Sequence, residues 1–421
     1  MFRKGKTPHN PGFGGLNILK YIGPGLLVTV GFIDPGNWAS NVVAGADFGY
    51  TLLWMVTLST FMLILLQHNV AHLGIVTGLC LSEACVRYLH PWRGRALIVS
   101  AVLASVSTAL AELLGGGIGL HMLFPRIPLP LCVLLVLAVV LWMLLTNSYR
   151  RIERYIIGLV SLIGLAFIFE ITLVHVPVKD AVVGWVLPRF PQGSIPIVMS
   201  VMGAVVMPHN LFLHSEIIQS RQWNLENKDV IQRQLSYEFL DTLFSMLVGW
   251  AINSAMIIIA AATFFSRNIP VNDLQEAAQM LHPLLGGSAA LVFALALLLA
   301  GLASSVTAGM AGGSIFAGLF GEPYDIKDSH SRWGVVITLV GAAFIIMVID
   351  LFSINLLMGL VISQIFLSIQ LPWTIFAQIS LTSSRKVMGS FANGPLTKVC
   401  LWVTGGVVAI LNVMLLWSFM R

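Results

Sequence analysis

Charge is what this sequence has least of. Only 10% of its 421 residues are Asp, Glu, Lys or Arg, while 57% are hydrophobic and the mean hydropathy is +0.89. A soluble domain carries about 25% charged residues, and one compact core could not bury this much apolar surface. The composition therefore excludes a soluble globular protein and predicts an integral membrane protein that is surrounded by the lipid bilayer.

Cysteine and the motifs of enzymes are also scarce. The four cysteines show neither disulfide nor zinc-knuckle spacing. His68 and His72 are four residues apart, but no glutamate follows His68. The HExxH pattern of metalloproteases is therefore absent, and interfacial histidines are the simpler interpretation. With no nucleophile–base pair and no phosphate-cradling glycine loop, we expect no enzyme activity, no cofactor, no nucleic-acid binding and no obligate protein partner.

Long apolar stretches fill the chain instead. A helix needs about 20 apolar residues to cross the hydrocarbon core, and eleven such stretches are joined by short segments. The predicted spans are 16–46, 49–73, 96–122, 129–147, 153–176, 194–220, 236–265, 287–318, 333–350, 354–378 and 395–420. The sequence thus predicts an all-α polytopic membrane protein that forms a single transmembrane domain.

The placement of basic residues predicts the orientation of these spans. With the N-terminus inside, 18 of the 23 Lys and Arg residues fall on cytoplasmic segments, as the positive-inside rule expects. An odd number of spans then puts the C-terminus outside. No small-residue cleavage site follows the first apolar run, so we expect no removable signal peptide and a multi-pass protein of the cell (plasma) membrane.

Two of the spans are interrupted in the same way. The first contains "GFIDPGNWASN" (31–41) and the sixth contains "GAVVMPHNLFLHS" (203–215), so that a Pro-x-Asn pattern recurs. Breaks in the first helix of each of two five-helix halves point to an inverted-repeat transporter whose site lies near the membrane midplane. The predicted divisions are repeat one at about 16–176, repeat two at about 194–378 and an extra helix at about 395–420.

The residues at the breaks suit a small dication. An acid at the centre of a membrane helix costs about 2.5–3.5 kcal/mol on insertion scales, and this cost favours a functional role for Asp34. Asn37 offers an amide oxygen, and the thioether of Met207 favours softer transition metals over Mg²⁺ or Ca²⁺. Carbonyls near Gly31 and Ala204 could complete the shell. Each feature alone also has a plainer interpretation, as packing, a kink or an interhelical pair, and only their combination favours a metal site.

Two further residues could handle protons. His209 lies next to the second break, and histidine titrates near ambient pH, although a histidine bonded to freed backbone is an equally good interpretation. Glu112 is a second costly acid within a span, followed by glycines that allow close helix approach. His214 is about 140° around a regular helix from His209, so the two cannot clamp one ion together.

The pair "DPGN" (34–37) and "MPHN" (207–210), in order and within eleven spans, resembles the signature of the Nramp family of divalent-metal transporters. The resemblance covers essentially the whole chain. It implies a LeuT-type 5+5 inverted repeat with helices 1 and 6 broken and an eleventh helix added. It also implies import of Mn²⁺, Fe²⁺ or similar ions as substrate, usually by symport with protons. The implied residues are Asp34, Asn37, Met207, Gly31, Ala204 and Gln364 as metal ligands, with Gln364 joining in an occluded state, and His209 and Glu112 on the proton route.

The chain departs from the family pattern at two places. The third span reads "ALAE" with Ala109 where the family usually has an aspartate, and Trp333 in the ninth span is followed by "GVVITL" where a pair of arginines is usual. The absence of both the aspartate and the arginines is physically consistent, because the absence of only one of them would leave the other buried charge without a partner. Proton coupling is therefore expected to be weakened, rerouted through Glu112 and His209, or absent. Alternatives are a relative shifted to another ion such as Mg²⁺, or a membrane metal sensor that does not transport.

Overall fold

The computed structural model describes residues 24–221, 225–269, 271, 287–352 and 356–419, and every regular element in these ranges is helical. The α-helices are α1 Pro24–Thr29, α2 Pro35–Phe48, α3 Leu53–Thr77, α4 Leu81–Tyr88, α5 Pro91–Leu123, α6 Leu129–Thr146, α7 Tyr149–Thr172, α8 Val178–Val186, α9 Ile195–Val205, α10 Pro208–Ile217, α11 Lys228–Thr263, α12 Gly287–Gly318, α13 Ser329–Leu351, α14 Leu356–Thr382, α15 Arg385–Met388 and α16 Pro395–Phe419. Short 3₁₀ turns occur at Val30–Phe32, Gly49–Leu52, Ile218–Arg221, Phe265–Arg267 and Gly389–Phe391.

Eight segments of the described chain are long and apolar enough to cross a membrane. The first of them, Pro35–Thr77, joins α2 and α3 through a 3₁₀ turn. Over the described residues, each of the eleven predicted spans coincides with one long helix or, for the first and sixth spans, with a pair of shorter helices. The short helices α4 and α8 lie between spans and were not predicted.

The first predicted interruption is confirmed. Helix α1 ends at Thr29, a 3₁₀ turn follows, and α2 begins at Pro35. Asp34 has an extended backbone, and its Oδ1 accepts the backbone N–H of Asn37 at 3.0 Å, as an N-cap does. Proline suits the first helical position because its missing N–H would have no partner there. The Asp-Pro pair therefore starts a new helix in the middle of an apolar segment.

The second interruption is also confirmed and has the same form. Helix α9 ends at Val205, Met207 is extended (φ −91°, ψ 129°), and α10 begins at Pro208. Met207 and Asp34 thus hold the same N-cap position before a proline, although only Asp34 caps its helix with a side chain. Each break leaves the C-terminal carbonyls of one short helix next to the start of another.

Helix α5 passes closely against the first break and against α12. A Cβ added to Gly115 would overlap the ring of Pro35, and one added to Gly301 would overlap the backbone of Gly116. The glycines that follow Glu112 therefore bring α5 into direct backbone contact with its neighbours, as the sequence predicted. This contact fixes Glu112, which is fully buried, at the level of the first break.

Candidate metal site at the two helix breaks

The two breaks are in direct contact. A Cβ added to Gly31 would overlap the side-chain amide of Asn210. Asn210 is 1% exposed, and within the described part of the chain neither its amide nitrogen nor its amide oxygen has a hydrogen-bond partner. Asn210 holds the same position in the second break as Asn37 does in the first. Its amide, which has no hydrogen-bond partner among the described residues, therefore faces the backbone of the first break. The sequence shows this repeated asparagine but does not indicate a role for Asn210 at the site.

Asp34 carries the clearest sign of a ligand. Its side chain is fully buried, and while Oδ1 caps α2, Oδ2 makes no hydrogen bond to any described residue. A buried carboxylate oxygen without a donor loses its hydration and gains nothing in return. A cation bound at Oδ2 would remove that penalty.

The carbonyls of the first break accept one backbone N–H and three side-chain donors, since lipid could not supply donors. The bonds are Ile33 N–H to Val30 O, Asn37 Nδ2 to Gly31 O, Asn253 Nδ2 to Phe32 O and Trp38 Nε1 to Ile33 O. The predicted ligand Gly31 O thus already accepts the amide of Asn37 at 3.2 Å. Because a carbonyl has two lone pairs, Gly31 can still bind a cation beside that bond. The same bond turns the amide oxygen of Asn37 away from Gly31.

The second break contributes Met207, whose side chain is 1% exposed. Ala204, the other predicted carbonyl ligand of this break, lies in the last turn of α9. Gln364 belongs to α14, and its side chain lies outside the described part of the structure. The structure therefore brings Asp34, Gly31 and Met207 to the two touching breaks.

Helix α5 also connects the proposed proton residues to both breaks. Thr108 Oγ1 lies 3.2 Å from His209 Nδ1. Glu112 lies one turn further along α5, within electrostatic range of Asp34, and neither of its oxygens has a partner among the described residues. His209 Nε2 is likewise buried and unpaired there. Glu112 thus lies near Asp34, and His209 lies two residues after Met207; both carry buried proton-accepting atoms without a partner among the described residues.

A histidine cluster in the same region was missed from the sequence. His68 Nδ1 pairs with Glu238, and His214 Nε2 lies 3.9 Å from Oε1 of that carboxylate. His214 Nδ1 contacts Gln67 Oε1 at 2.9 Å. His68 is 30% exposed, whereas Glu238 is fully buried, so His68 binds a buried acid in addition to lying partly at the surface. The cost argument used for Asp34 and Glu112 applies equally to Glu238, one of several further acids in the predicted spans.

Comparison with known proteins covers nearly the whole chain. The family model described as "Natural resistance-associated macrophage protein-like" (Nramp) matches residues 25–418. A divalent metal cation transporter MntH of Nostoc sp. is 38% identical over 410 residues, which are 95% of this chain and 91% of the relative. A crystal structure of a manganese transporter of Eremococcus coleocola, in a mutant form, superposes with a TM-score of 0.81 at 26% identity, covering 98% of this chain and 89% of that one.

A more distant structure shows the fold alone. Mhp1, a nucleobase-cation-symport-1 family transporter, matches 94% of this chain and 92% of its own with a TM-score of 0.63 at 14% identity. The predicted LeuT-type architecture of an all-α membrane protein is thereby confirmed.

Proposed function

The chain belongs to the Nramp family, and from that membership we propose that it is a secondary transporter that imports divalent transition-metal ions by alternating access. Its relative from Nostoc is named as a metal cation transporter, and family membership agrees with the expectation that the chain is not an enzyme. The observation that carries the proposal is the buried, unpaired Oδ2 of Asp34 where two broken helices touch.

We propose Asp34, Asn37 and Met207 as the side-chain ligands, joined by the carbonyls of Gly31 and Ala204. Gln364 would add an amide oxygen when the site is occluded. The short helices before each break end at the site, and the negative ends of helix dipoles favour a cation. A single carboxylate with neutral oxygens and one thioether suits Mn²⁺, Fe²⁺ and similar ions better than Mg²⁺. Because affinity alone does not favour Mn²⁺ within that series, cellular supply selects the ion that is carried.

Proton movement would involve the two acids of the site. Asp34 and Glu112 are both buried and close enough to interact, and two such carboxylates are most stable when they share a proton. A dication at Asp34 would repel that proton, and Glu112 and His209 would pass it on. Ala109 offers no further acid along α5, and Trp333 on α13 is 60% exposed with no arginine pair after it. We therefore propose coupling that is weaker than is usual in the family.

The alternatives gain less support. A sensor without transport is not favoured by relatives named as transporters, and the thioether of Met207 disfavours a Mg²⁺-directed relative. We further propose a plasma-membrane location with the N-terminus in the cytoplasm and the C-terminus outside, on the distribution of basic residues.

The test is uptake into proteoliposomes that contain both a Mn²⁺-sensitive and a pH-sensitive dye, with and without an imposed pH gradient. We expect Mn²⁺ uptake in both conditions and only slight acidification driven by Mn²⁺. Asp34→Asn protein in matched liposomes controls for leakage. If Mn²⁺ uptake did not exceed that of the control, metal import would be rejected. Strong Mn²⁺-driven acidification would reject only the proposal that proton coupling is weakened.

A further inference from the structure

A second group of metal-ligating side chains lies away from the two breaks. Cys80, Glu83 and Glu216 each place one ligand atom within 4.8 Å of the others. The three residues, which we call the Cys80 cluster, are buried, with exposures of 0%, 8% and 7%. Nothing in the transport scheme above uses them.

Three helices build the Cys80 cluster. Cys80 immediately precedes α4, and its backbone N–H donates to Glu83 Oε2 at 2.8 Å. Glu216 lies in the last turn of α10, where the hydroxyl of Ser314 from α12 donates to its Oε2 at 3.0 Å. The hydroxyl of Ser82 lies 2.9 Å from Cys80 Sγ. The thiol and the carboxylates therefore converge from separate chain segments and are held by hydroxyl groups.

The buried charge of Glu216 in the Cys80 cluster favours a bound cation. Two carboxylates lie close together out of water, and Glu216 sits at the C-terminal end of α10, where the helix dipole disfavours an anion. Among the described residues, no Lys, Arg or His forms an ion pair with Glu216. Burial, then the negative charges of Glu216 and Glu83, raise the pKa of the Cys80 thiol.

A separate polar group beside the cluster is also unsatisfied. The hydroxyl of Tyr324 is buried and has no hydrogen-bond partner in the described structure. Its ring lies against Gly313, next to Ser314. Burial and the nearby charge of Glu216 raise the pKa of Tyr324. Polar groups in the neighbourhood of Glu216 are thus incompletely paired among the described residues.

We propose that Cys80, Glu83 and Glu216 form a second divalent-cation site, which holds a thiophilic ion of the Zn²⁺ or Cd²⁺ class. One thiolate and two carboxylates are ligands that Zn²⁺ accepts, and a water molecule can take a fourth tetrahedral position. On binding, the metal–sulfur bond replaces the S–H bond and the proton leaves to water. The sulfur here is a thiolate, whereas Met207 offers a neutral thioether, so this site prefers softer ions than the breaks do.

The two sites bind separate ions. Glu216 is nine residues beyond Met207 along α10, which corresponds to about 14 Å at the rise of a regular helix. Both sites nevertheless share α10, and an ion in the Cys80 cluster links the end of that helix to α4. The proposal does not depend on transport, because binding at Cys80 can be measured in detergent without any flux.

The test is a titration of the purified full-length protein with Cd²⁺. Binding is measured from the ultraviolet charge-transfer absorption of cadmium bound to thiolate. We expect the absorption to saturate at one Cd²⁺ per chain in the wild-type protein. Cys132→Ser, a buried cysteine elsewhere, should also keep it, while Cys80→Ser should lose it.

A second variant tests the same site in case Cys80→Ser does not fold. Glu216→Gln keeps the thiol and the side-chain shape, and it should weaken Cd²⁺ binding at least tenfold. The proposal is overturned if the wild-type protein shows no thiolate band, if Cys80→Ser keeps the band, or if Glu216→Gln binds Cd²⁺ as tightly as the wild type. Failure of Mn²⁺ uptake with an intact band would reject only the proposed transport function.

Discussion

Gly31→Ala tests the contact between the two breaks. Gly31 does not have a positive φ, so alanine is compatible with the backbone and the effect is steric. The added methyl group would lie 2.7 Å from Cγ and 3.0 Å from Oδ1 of Asn210, and closer still to its Nδ2. The whole amide, or the break that carries it, must therefore move.

The expected magnitude follows from that overlap. Overpacking a tight site costs about 1–3 kcal/mol, which corresponds to a 5- to 150-fold loss of affinity if it is expressed fully in metal binding. Asn210→Ala removes the opposing amide, so Gly31→Ala should cost much less in that background. The coupling energy between the two substitutions should then exceed about 1 kcal/mol.

The assay is the Mn²⁺ dissociation constant of the purified protein, by calorimetry, for the wild type, both single variants and the double variant. Gly158→Ala in α7 is the matched control, because a Cβ there meets no atom within 4 Å. If the effects of Gly31→Ala and Asn210→Ala on the free energy of Mn²⁺ binding added to within about 0.5 kcal/mol in the double variant, the contact between the breaks would be refuted.

Three further predictions concern the same region. Asp34→Asn should abolish measurable Mn²⁺ binding yet preserve the thermal midpoint to within a few degrees, because an amide oxygen can still accept the N–H of Asn37 while the charge on Oδ2 is lost; retained binding would argue against Asp34 as a ligand. Met207→Ala should let Ca²⁺ and Mg²⁺ compete better with Mn²⁺ uptake, and unchanged selectivity would count against a metal–sulfur bond. Asn253→Ala should lower the free energy of unfolding by about 1–3 kcal/mol, seen as a lower thermal midpoint, because Phe32 O loses its donor; an unchanged midpoint would show that another group replaces it.

The spans and their breaks were predictable because a bilayer imposes length and hydropathy directly on the sequence. Proline after an acid or a methionine, in the middle of an apolar run, has few compatible structures in lipid. The short helices α4 and α8 carry no such constraint and were missed. The same limit explains why the Cys80 cluster was not predicted, since Cys80 and Glu216 come together only through tertiary packing.

The sequence indicates candidate residue types for the site, but it does not indicate the hydrogen bonds around them. Asp34, Asn37 and Met207 stand out locally, whereas the donor that satisfies Phe32 O is Asn253, 221 residues away in the chain. The bond from Asn37 to Gly31 O likewise depends on the conformation of the break. The approach of Asn210 to Gly31 required both breaks to be placed in space.

Anomalous diffraction from crystals containing Mn²⁺ tests the central claim most directly. We predict an ion bonded to Asp34 Oδ2 and Met207 Sδ together, between the two breaks. An ordered Mn²⁺ ion that touches residues of only one break, or that binds elsewhere in the protein while Asp34 stays unliganded, would contradict it.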